Sequence, residues 1–129
     1  MKFKVESNLL MLEMARIGDM GEYSIYVRSN DNGNLPHFHI VDSNTLGNNF
    51  HTCIQILDNA YFFHTGKEDK LNSKGRRDLI EFLLAPDEDG VFESNWVHLV
   101  YEWNKNNNRR KIDKNSPMPD YRIMKENKK

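Results

Sequence analysis

Two imidazoles one residue apart, His37 and His39, stand in the stretch Leu35-Pro36-His37-Phe38-His39-Ile40-Val41. In an extended chain alternate side chains share a face. His37 and His39 therefore project together, while Phe38 and Ile40 project the other way. The apolar pair can face a core, which would leave both imidazoles on the opposite, wetter side. A His-x-His pair on a strand offers two nitrogens to a metal ion, and a neighbouring strand can supply a third ligand. His51 is the first choice for that ligand, with the carboxylates of Asp42 and Asp58 as further candidates. If three ligands left a coordination place open, zinc-bound water would ionise near neutral pH and could attack an ester or phosphodiester. Cys53, the one cysteine, shares a face with His51 if this segment is extended. A Cys–His nucleophile is thereby permitted, and a small thiol filling core volume is the plainer alternative. The chain has no Gly-rich phosphate loop, Gly-x-Ser-x-Gly elbow, dinucleotide fingerprint or paired-cysteine knuckle.

The elements that must position these residues follow from periodicity. Glu22–Ser29 places Tyr23, Ile25 and Val27 on one face and is rich in β-branched and aromatic residues, as strands are. Asn30–Asn34 is a turn cluster, and Pro36, with no N–H to give, suits the start of the next strand. His37–Asp42 is expected to pair antiparallel with Glu22–Ser29. Phe50–Leu57 sets Phe50, Thr52, Ile54 and Ile56 against His51, Cys53, Gln55 and Leu57, and Ala60–His64 makes a short aromatic strand. Lys2–Glu6 also alternates. Residues 7–17 fit two readings, a helix capped at Ser7 or Asn8 and closed by Gly18, or an extended segment with Leu10, Leu12 and Met14 on one face. Gly18–Gly21 reads as a turn.

The period then changes. Asn72 or Ser73 can cap a helix with Leu79, Ile80, Phe82, Leu83 and Leu84 as its apolar stripe, ended before Pro86. Ser94 can cap a second helix, Asn95–Asn106, with Trp96, Leu99, Val100 and Trp103 on its buried side. The expected fold is α+β: a small antiparallel β-sheet of four to five strands with two α-helices on one face. The expected organisation is a single domain over residues 1–106 and an extended basic C-terminal tail over 107–129.

Charge divides along the same line. The formal net charge is -1. From Asn104 onward nine cationic and three acidic residues give +6, which leaves -7 for residues 1–103. Arg109, Arg110 and Lys111 could neutralise phosphates, with Tyr121 able to stack on a base. The acidic loop Asp87-Glu88-Asp89 could meet a basic protein surface. No run of 18 apolar residues suggests a membrane span, and no signal sequence is apparent. The lone cysteine points to a reducing compartment, hence the cytoplasm.

The run Pro36-His37-Phe38-His39 resembles a prokaryotic family of small uncharacterised proteins that carry a Pro-Pro-His-Phe-His strand. These have a preceding strand, here Tyr23–Val27, and a late helix with an aliphatic-x-Glu-Trp run, here Leu99–Trp103. Leu35 replaces the first proline, and the likeness covers Glu22 to Asn106. It implies a setting beside a second small protein, of toxin–antitoxin or mobile-element kind, and implies no reaction. Two functions are therefore expected to compete. The first is a non-enzymatic interaction protein of bacterial or phage origin, antitoxin-like or defence-inhibitor-like, with no cofactor. It would bind a protein partner or nucleic acid through His37, His39, Asp87, Glu88, Asp89, Arg109, Arg110, Lys111 and Tyr121, in the bacterial cytoplasm or that of a phage's host. The second is a metal-dependent hydrolase or nuclease using His37, His39 and His51 to hold zinc or another divalent metal.

Overall fold

The computed structural model describes residues 14–29, 34–42, 50–63 and 68–126. The strand expected at Lys2–Glu6, the apolar run at 9–12 and His64 lie outside them. Four strands form one antiparallel sheet in sequence order: β1 (Met14–Met20), β2 (Tyr23–Arg28), β3 (His37–Asp42) and β4 (His51–Gln55). Two helices follow, α1 (Ser73–Leu84) and α2 (Asn95–Asn106), and then a single 3-10 turn over Asn108–Arg110. The α+β expectation holds, with four strands among the described residues.

Of the two readings for residues 7–17, the extended one applies over Met14–Ile17. Gly18, Asp19 and Met20 continue the strand, so the turn falls later than Gly18–Gly21 suggested. It is the two-residue loop Gly21–Glu22, where Gly21 at φ 63° supplies the left-handed backbone that such a hairpin needs. The pairing of β1 with β2 shifts between Arg16 and Gly18, and Ile17, at that irregularity, is buried. Gly18 lies against α1: a Cβ there would sit 2.8 Å from Cζ of Phe82.

The core lies between the sheet and the helices. Ile25, Val27, Phe38, Ile40 and Ile54 come from the strands, and Leu79, Leu83, Trp96, Leu99, Val100 and Trp103 from the helices. Each such side chain, fully buried, contributes about 1.5–3 kcal/mol. The helices start and stop where their caps dictate. Asn72 Oδ1 accepts from the Gly75 N–H at 2.7 Å, and Ser94 Oγ from Val97 N–H at 3.2 Å. Ala85, ahead of Pro86, is extended with ψ 156°, which ends α1. Asn95 then joins the two helices. Its Nδ2 donates to Phe82 O at 2.7 Å, which also accepts from Ala85 N–H at 3.1 Å, and its backbone N–H donates to Ala85 O at 2.9 Å, tying the end of α1 to the start of α2. Leu84, counted in the apolar stripe, is exposed instead.

The fifth strand is reduced to a bridge. Ile54 pairs with Tyr61, Gln55 N–H donates to Ala60 O, and Phe62 N–H donates to Cys53 O. Residues after α2 return to this edge. Ala60 bridges Lys125 in parallel, Tyr61 N–H donates to Lys125 O at 3.0 Å, and Lys125 N–H to Asn59 O at 2.8 Å. Tyr121 is fully buried against Phe38 and Trp96, and its hydroxyl donates to Gln55 O at 2.6 Å. Ile112 packs partly on the core, whereas Ile123 is 70 % exposed.

Candidate metal centre

The sheet register decides which histidines meet. Residues directly across an antiparallel pair share a face. Tyr26 stands opposite His39, His39 opposite Cys53, Val41 opposite His51, and His37 opposite Gln55. One face, opposite to that of Phe38 and Ile40, therefore carries Tyr26, His37, His39, His51, Cys53 and Gln55. The two imidazoles of β3 do project together, with ring centres 5.0 Å apart.

That face is not wet at its centre. His37 is fully buried, His39 is 2 % exposed, and only His51 is half-buried. Aromatic rings surround them: Phe62 lies 4.6 Å and Trp103 5.8 Å from His37, and Tyr26 lies 4.9 Å from His39, nearly parallel to it. The exposed pair of imidazoles expected from sequence is thus an enclosed pair. Alternation alone separates the two faces of a strand but does not say what covers either.

Three side chains converge. His39 Nδ1 is 3.0 Å from His51 Nε2, Cys53 Sγ is 3.3 Å from His39 Nδ1, and Cys53 Sγ is 3.5 Å from His51 Nε2. Among the described residues these three form the one group of His, Cys, Asp or Glu ligand atoms close enough to share an ion. The imidazole planes of His39 and His51 differ by 8°, with centres 5.2 Å apart. Since the facing nitrogens are 3.0 Å apart, the rings meet edge to edge rather than face to face. Two coplanar imidazoles on one tetrahedral zinc would have centres about 5.2 Å apart, and the N···N and N···S edges would be about 3.3–3.6 Å. The geometry also suits a proton network, in which the thiol and one ring N–H donate around the triangle.

His37, one of the three ligands expected from sequence, is not in this group. Its Nδ1 lies 2.7 Å from the Leu35 carbonyl, which can only accept, so the proton is on Nδ1. Cys53 takes its place. Backbone contacts hold β4 at both ligand positions: Phe62 N–H donates to Cys53 O at 2.9 Å, and Asp69 N–H to His51 O at 2.7 Å. His51 N–H in turn donates to Asp69 Oδ2 at 3.0 Å.

The remaining sequence candidates are scattered. Asp87 is 5 % exposed; its Oδ2 accepts from Val91 and Phe92 N–H, and its Oδ1 lies 3.1 Å from His98 Nδ1. It therefore shapes its own loop and cannot face a basic partner, while Glu88 pairs with Arg16 at 3.1 Å and Asp89 is exposed. Tyr121, buried beneath the sheet with its hydroxyl engaged, cannot stack on a base. Arg109, Arg110 and Lys111 are exposed, and Arg110 Nε donates to Asn34 O at 3.1 Å. Asp58 pairs with Lys125 at 2.9 Å rather than approaching the histidines.

No protein-family model, curated protein or solved structure matches this chain. The resemblance drawn from Pro36–His39, Tyr23–Val27 and Leu99–Trp103 therefore rests on those sequence features alone. No helix among the described residues is long and apolar enough to cross a membrane.

Proposed function

We propose that this chain is a metal-binding protein, with His39, His51 and Cys53 holding zinc or a similar thiophilic divalent ion. One observation carries the reading: two imidazole nitrogens and a thiol sulfur, from two neighbouring strands, all lie within 3.5 Å of one another. A thiol filling core volume needs only apolar neighbours, and here it has two imidazoles. A donor set of two nitrogens and one sulfur suits zinc or copper and is a poor match for magnesium or calcium, which take oxygen.

This support moves the metal-dependent hydrolase or nuclease ahead of the non-enzymatic interaction protein. The interaction reading loses Asp87 and Tyr121 from its surface, and its rings at His37 and His39 are enclosed. Glu88, Asp89, Arg109, Arg110 and Lys111 are what it keeps. The antitoxin-like or phage setting has the sequence resemblance centred on Pro36–His39 as its whole support. A cytoplasmic home suits a thiolate ligand, since a reducing compartment keeps it unoxidised.

The test is elemental analysis of the full chain purified without a nickel column. About one zinc per chain is expected, with loss in His39→Ala, His51→Ala and Cys53→Ser and retention in His37→Ala. Folded protein that neither contains nor takes up zinc would overturn the reading, as would unchanged zinc content in Cys53→Ser.

A further inference from the structure

We infer that this chain assembles head to tail with a second copy of itself, the basic segment 105–114 of one copy docking in an acidic groove of the next. The groove lies between the β1–β2 hairpin and α1 and has a volume of about 660 Å³. Tyr23 and Phe82 give it aromatic surface, and Asp19, Glu22, Asp78, Glu81 and Lys74 give it charge. Asp78 is paired with Lys74 at 2.8 Å, and Asp19 with Arg16 at 2.7 Å. Arg16 also reaches Glu88 at 3.1 Å, so this corner sets five carboxylates against two cations. Glu81 is exposed and has no ion pair among the described residues.

The opposite charge gathers at the other end of the molecule. Residues 105–114 hold five cations, Lys105, Arg109, Arg110, Lys111 and Lys114, and one acid, Asp113. All five cations are exposed, and Lys105, Lys111 and Lys114 have no ion pair among the described residues. The chain cannot bring this segment to its own groove. β2 runs from Tyr23, at the groove, to Arg28, whose carbonyl accepts from Asn107 Nδ2 at 3.0 Å. Ser29 Oγ donates to Asn106 Oδ1 at 3.2 Å and Arg110 Nε to Asn34 O at 3.1 Å, which anchors the basic segment at that far end. Strand residues rise about 3.3 Å each, so roughly 17 Å of β2 separates the two. A second copy presents the same segment without that constraint. Lysine and arginine stems can lie on Tyr23 and Phe82 while their heads meet the carboxylates. Since groove and segment are different surfaces, each docked copy leaves one of each unfilled and the contact repeats.

Analytical ultracentrifugation of the full chain at two ionic strengths tests this. At about 10 mM salt, where charges act over about 30 Å, the weight-average mass should climb with protein concentration toward twice that of one chain and beyond. At about 1 M salt, where the range is about 3 Å, it should return to that of one chain. Glu22→Lys with Glu81→Lys changes the groove corner from five carboxylates against two cations to three against four. Lys105→Glu with Lys111→Glu and Lys114→Glu changes the segment from five cations against one acid to two against four. Each variant, folded by circular dichroism, should stay monomeric at low salt, and the two mixed together should associate again. A mass of one chain at every concentration of the parent would overturn the inference. So would association that survives both sets of reversals, or a mixture of the two folded variants that stays monomeric.

Discussion

Replacing Tyr121 with phenylalanine removes one oxygen atom and tests whether residues beyond α2 belong to the body of the protein. The hydroxyl donates to Gln55 O at 2.6 Å, and the ring lies 6.0 Å from Phe38 and 6.3 Å from Trp96. Tyr121→Phe keeps those ring contacts and leaves a buried carbonyl with one partner fewer, a loss of about 1–3 kcal/mol. Tyr121→Ala removes the ring as well and should cost about 3–5 kcal/mol. A chain of this size shifts its melting temperature by about 3–6 °C per kcal/mol, so the two variants separate clearly in a thermal or urea melt. Alkaline pH gives a second readout. Burial, and then the nearby charge of Asp58, hold the Tyr121 phenol well above its ordinary pKa of 10.0. The unfolded chain ionises near the ordinary value while the folded one does not follow. The stability that depends on a neutral phenol is therefore complete below about pH 10 and declines as pH rises toward the higher folded value. In Tyr121→Phe this part of the alkaline loss should vanish. Midpoints unchanged in the phenylalanine variant, with the alanine variant costing less than about 1 kcal/mol, would refute the docking of this residue.

Zinc at 100 to 1,000 times its dissociation constant should stabilise the protein by about 3–4 kcal/mol, an upward shift on the order of 10 °C by calorimetry that Cys53→Ser abolishes. Gly18→Ala places a methyl 2.8 Å from Phe82 Cζ. It should cost about 1–3 kcal/mol in a urea melt, and part of that should return when Phe82→Leu is added. A neutral Gly18→Ala would show that the β1–α1 contact is looser than described. Asn95→Ala removes the 2.7 Å bond to Phe82 O at the close of α1 and should lose about 1–2 kcal/mol. Hydrogen exchange should show earlier opening at the last turn of that helix.

Both helices were legible because their signals agree at every level. Asn72 and Ser94 cap, Pro86 stops, and Trp96, Leu99, Val100 and Trp103 recur at helical spacing and are all buried. The strands were legible by alternation, and so was the common face of His37 and His39. What alternation could not supply was register. By spacing, His37 and His39 are equivalent partners for β4. Only the pairing of His39 with Cys53 puts one into the cluster and leaves the other opposite Gln55. The signal for Cys53 was present, since it falls on the same side of β4 as His51, but its value depended on a loop whose length does not fix the hairpin. Tyr121 was hidden for another reason. Its neighbours are prolines and charges, and the segment lacks a periodic apolar pattern. One ring and one hydroxyl, matched to Phe38, Trp96 and Gln55 O across 66 residues of sequence, suffice to dock it. Asp87 was misread because an acidic residue in a loop is ordinarily solvated, and this one is turned inward to organise Val91 and Phe92.

The border of the sheet beyond β4 also bears on how copies of this protein behave when crowded. A strand at the rim offers a row of unpaired amides to any passing chain, the usual seed of fibrils and swapped dimers. Here Ala60, Tyr61 and Phe62 occupy that row, and Lys125 covers Tyr61 from outside while its ammonium pairs with Asp58. A foreign strand would first have to peel away both layers. The cluster-bearing rim is thereby guarded against templated aggregation by a short cationic segment.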